Sequence, residues 1–234
     1  MGKRIISRAR GKGGQRYRAP SHRYFGKVEY FPFGNVDGRV VDILNDPGRS
    51  APIAIIKTHE GKEVLHIAPE GLSIGTTVKY EGDVSVGNVL QLGNIPEGTK
   101  IFGIENSPGS GPKLCRSSGV FAQIIGRSGN NVLIQFSSGA IKEMHVRCRA
   151  TIGVPAGGGR TEKPWVTVGK KWHARHARGK IYPREAAVIM NAVDHPYGGK
   201  SHRPRPSRTV SRNAPPGAKV GSISARRVGK RKGS

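Results

Sequence analysis

Asp194 and His195 stand side by side in the stretch Asn191-Ala192-Val193-Asp194-His195-Pro196-Tyr197-Gly198-Gly199. A carboxylate next to an imidazole is a pairing that can support general acid/base chemistry. Asp194 is also the only acid between Glu185 and the C-terminus. Neighbouring side chains on one backbone point apart, which makes a productive dyad the weaker reading. The stronger one is a local turn with the imidazole directed at a phosphate. Pro196 and the paired glycines let the backbone approach another molecule closely. No serine nucleophile elbow and no paired carboxylates accompany the stretch.

A second cluster reads Trp172-His173-Ala174-Arg175-His176-Ala177-Arg178, preceded by Lys170 and Lys171. Planar stacking groups interleaved with phosphate-pairing cations suit RNA, whose bases are often unstacked. The competing reading is the solvated face of a short helix; the basic surroundings favour RNA contact. Other motifs fail on spacing. Gly199-Lys200-Ser201 looks like the end of a P-loop, but the first glycine would fall on Asp194. Gly109-Ser110-Gly111 lacks a third glycine and a parallel βαβ setting, so a dinucleotide site is not expected. Cys115 and Cys148 stand alone; with His145 near Cys148 a zinc site is conceivable, but buried free thiols are the expectation.

These residues sit in a chain with 40 Lys+Arg against 15 Asp+Glu, a net charge of +25 over 234 residues. The excess is not spread evenly. Residues 1–30 hold 9 basic and 1 acidic residue, and residues 159–234 hold 19 and 3. The middle, 31–158, is nearly neutral, with 12 basic and 11 acidic. A balanced body with two charged flanks points to a polyanion, nucleic acid first. The flanks lack enough large apolar residues to offset the entropy of ordering and are expected to be extended, ordering against that polyanion. Val210, Val220, Ile223 and Val228 are apolar exceptions that can pack once the backbone is pinned. No apolar run reaches membrane-spanning length, and the basic N-terminus has no apolar stretch behind it. Two cysteines make no disulfide framework. The expectation is a protein of a reducing, cytoplasmic compartment, neither secreted nor membrane-embedded.

The elements that must carry these groups read as mostly β. Val and Ile number 39 and Leu only 7, and β-branched side chains favour strands over packed helices. Strands are expected at 38–45, 53–58, 63–68, 76–80, 88–92 and 100–105, with turn signals such as Asp46-Pro47-Gly48 between them. That is the rhythm of a small antiparallel barrel. The Gly/Ser/Pro-rich segment 105–119 reads as an inter-domain linker. A second set follows at 120–125, 131–135, 140–146 and 150–154, with Gly129-Asn130 and Ser138-Gly139 as hairpin turns. One helix is expected, around Trp165–Arg178. The organisation is thus a basic N-terminal extension (1–30), a first barrel (31–110), a second barrel with a short helix (111–190) and a basic extended tail (191–234).

The chain resembles the universal large-subunit ribosomal protein two family, in its archaeal and eukaryotic branch. The likeness is carried by MGKRIISRARGKG, DILNDPGRSAPIA, IAPEGLSIG, GNVLQLGNIPEGT, SSGVFAQIIGR and CRATIGVPAGGGRTEKP in family order. The most specific pieces come last: MNAVDHPYGGK, NAPPGAKVG and ISARRVGKRKG. Glu185, Ala192, Tyr197 and Lys200 depart from the family's usual residues around this motif. The resemblance implies an OB-fold-like barrel followed by an SH3-like barrel, with extensions threading into large-subunit ribosomal RNA. It implies a place near the peptidyl transferase centre, with roles in assembly, subunit association at an intersubunit bridge, and tRNA placement. The family's Asp-His-Pro histidine corresponds to His195; because peptidyl transfer is attributed to RNA, no catalytic role is assigned to it, and direct acid/base participation is the alternative.

The RNA-binding candidates are Arg4, Arg8, Arg10, Lys12, Arg16, Arg18 and Arg23 in the N-terminal arm. In the C-terminal part they are Lys170, Lys171, Trp172, Arg175, Arg178, His195, Arg203, Arg205, Arg208, Arg226, Arg227 and Lys230. Expected partners are large-subunit rRNA, neighbouring ribosomal proteins and the small subunit. No metal ligands and no cofactor are expected; magnesium or potassium between protein carbonyls and RNA phosphates would be structural.

Overall fold

The computed structural model describes residues 2–200 and 209–225. Arg203, Arg205, Arg208, Arg226, Arg227, Val228 and Lys230 lie outside the described residues. The fold is mostly β, and the expected strands are present with boundaries shifted by a few residues. In chain order they are β1 (Asp37–Leu44), β2 (Ile53–Thr58), β3 (Glu63–Ile67), β4 (Thr77–Lys79), β5 (Val89–Gln91) and β6 (Lys100–Phe102). Then come β7 (Ala122–Ser128), β8 (Asn131–Phe136), β9 (Ile141–His145), β10 (Arg149–Ile152), β11 (Thr209–Val210) and β12 (Ser222–Ile223). The helices are α1 (Ile6–Gly11) and α2 (Val168–His176).

Two compact units are distinguishable: residues 19–180, and the described parts of 1–18 with 181–234. Within 19–180 the first sheet has the order β3-β2-β1-β4, and the second β5-β10-β6-β7-β8-β9. All of these pairings are antiparallel. Such sheets are consistent with an OB-like module followed by an SH3-like one.

Two sequence readings need correction. β5 and β6 fall in the second sheet, not the first, because both pair with β10. The segment 105–119 does not separate two domains, since β6 and β7 on either side of it are neighbours in one sheet. Its anchor is Glu105, which is 0% exposed. One carboxylate oxygen accepts Gly111 N–H at 3.0 Å and the other accepts Gly109 N–H at 3.1 Å. Composition made the loop look free, whereas the buried carboxylate folds it back on itself.

The core forms where alternating β-branched residues meet. Beneath the second sheet lie Leu90, Leu92, Ile95, Ile101, Ile104, Ile124, Val132, Ile134 and Cys148. Phe31, Val40, Ile56, Val78, Tyr80 and Val89 pack under the first. Each such aliphatic side chain contributes about 1.5–3 kcal/mol through burial. Bulges interrupt β1 between Val40 and Asp42, and β7 between Ile124 and Gly126. The extra residues, Val41 and Ile125, turn outward and are exposed.

A polar knot links the two sheets. Arg149, on β10, is 4% exposed. Its Nη2 donates to Glu105 Oε1 at 3.0 Å and its Nη1 donates to Phe31 O at 2.6 Å. The guanidinium lies over the rings of Phe33 (4.1 Å) and Tyr30 (5.4 Å). The Tyr30 hydroxyl donates to Gly103 O at 2.7 Å and lies 2.7 Å from Thr151 Oγ1. Tyr80, from the first sheet, shares a hydrogen bond with His66 Nε2. Burial first, then the Arg149 charge, pushes His66 down to about 3, so the ring is neutral.

Candidate nucleic-acid interface

α2 carries Lys170, Lys171, Trp172 and Arg175, and Arg178 follows just beyond its end. The helix is shorter at its start than expected. Pro164 precedes Trp165, and Val166 has φ +58, which no α-helix accommodates. Nine residues with none buried cannot hold a helix by packing alone. Local contacts supply part of what is missing. Trp172 stacks on His176 one turn along, with ring centroids 4.8 Å apart and planes 12° off parallel. His173, Arg175 and His176 fall in the last turn, where cations suit the helix dipole. The Tyr24 hydroxyl donates to Ala177 O at 2.7 Å, and Arg178 Nη2 donates to Arg49 O at 2.8 Å. The helix is thus tied down at its C-terminal end. Trp172 stays 41% exposed and Lys170 and Arg175 face solvent, so an aromatic face and cations are offered together.

The unit formed by 1–18 and 181–234 contains the Asp194-His195 stretch. The arms carry more local structure than an extended reading gives. Ile5, Tyr197 and Val220 are buried against one another, and Val220 is one of the apolar residues singled out in the tail. Lys3 N–H donates to Val193 O at 2.8 Å, and the Tyr197 hydroxyl donates to Val220 O at 2.8 Å. Arg8, on α1, reaches Pro216 O. Thr209-Val210 and Ser222-Ile223 pair in parallel. Arg4, Arg8, Arg10, Lys12, Arg16 and Arg18 are all exposed here, as is Arg23 in the other unit.

Asn191–His195 forms a turn in which Asp194 N–H and His195 N–H both donate to Asn191 O, at 3.0 and 3.2 Å. Gly198 lies so close beneath it that a Cβ would come within 2.4 Å of the carbonyl oxygens of Met190 and Asn191. Only glycine fits there. Asp194 Oδ1 is 3.5 Å from Lys3 Nζ, and His195 Nδ1 accepts Tyr197 N–H at 3.1 Å. A neutral ring accepting at Nδ1 carries its proton on Nε2. That leaves Nε2 as the donor, suited to a phosphate or hydroxyl oxygen.

The thiol readings resolve locally. Cys148 is buried in the second core and Cys115 is half-buried beside it. Burial raises both thiols, Cys115 to about 11. His145 meets Arg147 N–H at 3.1 Å through Nδ1 and Asn130 Nδ2 at 3.0 Å through Nε2, so both ring nitrogens are already engaged. Among the described residues no group of three His, Cys, Asp or Glu is placed to hold a metal. No helix among them is long and apolar enough to cross a membrane.

A mostly β chain that offers exposed cations on α2 beside Trp172, and more along its N-terminal arm, is a protein of the polyanion-binding class. Two family models then cover most of the chain: ribosomal proteins L2, RNA-binding N-terminal domain, over residues 2–80, and ribosomal proteins L2, C-terminal domain, over residues 85–220. The chain belongs to the ribosomal protein L2 family. Among its relatives is the large ribosomal subunit protein uL2 of Methanothermobacter thermautotrophicus, 50% identical over 242 residues, spanning 99% of this chain and 100% of that one. The proteins of the same name from Methanocaldococcus jannaschii and Archaeoglobus fulgidus are 48% and 50% identical, again over 99% of this chain and 100% of theirs.

Proposed function

We propose that this chain is a structural constituent of the large ribosomal subunit that binds its rRNA. The observation that carries this is the family match over both halves of the chain, at about 50% identity to proteins of that name. The +25 charge concentrated on the two flanks gives the match a physical mechanism. The sheets supply rigid surfaces, and the arms run as charged wires between RNA helices. The cations named above, with Trp172 and His195, are the proposed contacts. Each cation that meets a phosphate releases condensed counterion, so ~10 contacts cost about three to five orders of magnitude in affinity between 50 and 200 mM salt. The finer reading places the protein near the peptidyl transferase centre. There it supports assembly, tRNA placement and an intersubunit bridge with the small subunit, beside neighbouring ribosomal proteins. The Tyr197 N–H held on His195 Nδ1 and the Lys3 pairing of Asp194 support positioning over acid/base participation.

The test is sedimentation of lysate through gradients of rising salt, following this protein against both subunits. Retention on the large subunit through a high-salt wash is expected. Release at moderate salt, or spread over all nucleic acid, would leave only non-specific charge binding.

A further inference from the structure

Residues 80–99 carry no Lys or Arg at all, the widest such gap in a chain that holds 40 of them in 234 residues. Within the gap lies the 81–88 loop, between β4 and β5. A buried side chain fixes its path. Asn88 is 4% exposed, and its Oδ1 accepts the Lys79 backbone N–H at 2.9 Å. Its Nδ2 donates to Asp83 O at 2.9 Å and to Ser85 Oγ at 2.7 Å. Gly87 N–H donates to Ile152 O at 3.0 Å, which ties the loop to β10.

A loop held in this way cannot fold its apolar side chains inward. Val84 stays 48% and Val86 57% exposed. Val86 leans on Gly153, where a Cβ would come within 3.1 Å of it, and Pro69 flanks the same glycine. Pro69 and the half-buried Leu72 also meet Gly87, each 3.6 Å from where its Cβ would stand. Val86, Pro69 and Leu72 thus make one apolar surface, with Val84 two residues away on the loop. Glu70 and Asp83, both exposed, adjoin Pro69 and Val84. Over residues 63–99 the acids are Glu63, Glu70, Glu81, Asp83 and Glu97, against Lys79 alone. Lys100, whose carbonyl accepts Gly153 N–H, holds its ammonium over the Phe121 ring at 4.9 Å.

Such a surface has the wrong sign for a phosphate backbone. Exposed aliphatics rimmed by charge mark a protein contact. A second copy meeting it across a two-fold axis would set the same acids against each other. The complement is a protein segment that is basic and carries apolar side chains of its own.

We propose that the 81–88 loop, with Pro69 and Leu72, docks a basic segment of a neighbouring large-subunit protein. Apolar side chains of that segment cover Val84 and Val86, and its cations meet Glu70 and Asp83. The docking surface rests on the large-subunit reading above and gives the body a face turned to protein instead of RNA.

The test uses large subunits from cells in which the altered chain is the only copy, with protein occupancies measured by mass spectrometry after a high-salt wash. Glu70→Lys with Asp83→Lys reverses the rim. Glu60→Lys with Glu97→Lys makes the same charge change on two other turns as a control. Rim reversal is expected to lower the occupancy of one other protein at least fivefold, and the control to lower none. Val84→Ser, which changes no charge, is expected to give a smaller loss of the same protein. A second readout locates the contact. With Val84 replaced through an amber codon by p-benzoylphenylalanine, irradiation should join the loop to a Lys- or Arg-rich peptide of that protein. This cross-link decides alone if the rim-reversed chain fails to assemble. A cross-link to rRNA or to a second copy of this chain, no cross-link, or unchanged occupancies in an assembled rim variant each overturn the docking surface and leave the large-subunit reading standing. Absence of the unaltered chain from large subunits overturns both.

Discussion

Arg149 shows how one side chain can fix the sheet it sits in. Its guanidinium and backbone N–H both meet Glu105, and it reaches across to Phe31 O. Arg149→Met leaves the Glu105 carboxylate buried with backbone N–H donors but no counter-charge, and a loss of about 3 kcal/mol is expected in urea unfolding. The double variant with Glu105→Gln should recover a large part of it, because the stranded charge is gone. His66 makes a pH-dependent prediction. The folded ring is held at about 3, against 6.5 for an ordinary imidazole, so the unfolded chain takes up the proton first as pH falls. Its contribution is intact above about pH 6.5 and is lost on the way down to about pH 3, at up to about 1.4 kcal/mol per pH unit. Unfolding titrations of His66→Gln should show a shallower acid slope than the wild type.

Among elements, α2 depends most on its surroundings. Tyr24→Phe removes the hydrogen bond to Ala177 O and nothing else of the ring. Amide exchange across 168–178 should accelerate by about fivefold, as befits one hydrogen bond of ~1 kcal/mol, while the midpoint of global unfolding barely moves. How far such elements were legible differs by kind. The strands were readable because β-branched alternation is local: β2 spans the expected 53–58 without a shift. Partnership was not readable, because nothing in Val89–Gln91 says that its neighbour is Arg149–Ile152. The 105–119 loop was misread because Gly, Ser and Pro dominate its composition while one buried acid decides its path. α1 was missed because it is six residues long with no buried member, held through Ile5 before it. The α2 cations could be picked out by their density beside Trp172.

For the whole molecule, the two units differ in what they can bury. The 19–180 unit has two full cores, whereas Ile5, Tyr197 and Val220 make a very small one for the other. In the free chain, amides of 2–18, 181–200 and 209–225 are expected to exchange rapidly while β1–β10 stay protected; adding large-subunit rRNA should slow the first group selectively. Equal protection in both groups without RNA would contradict this. Deletion of 200–234 removes Val220 and the arm cations, and large subunits should then incorporate the protein poorly in a quantitative gradient assay. The strand pairing also sets a timetable for synthesis. The sheet β3-β2-β1-β4 has every member once residue 79 has left the ribosome that makes it. β6 gains β7 about twenty residues on, whereas β5 must wait about sixty residues for β10, with its edge unpaired until then. Ile5 waits longer still, since its partner Val220 lies more than two hundred residues further along. The basic arm around Ile5 of each new copy therefore emerges before the sheets and is tied down after them, leaving it open to any nearby polyanion while they form.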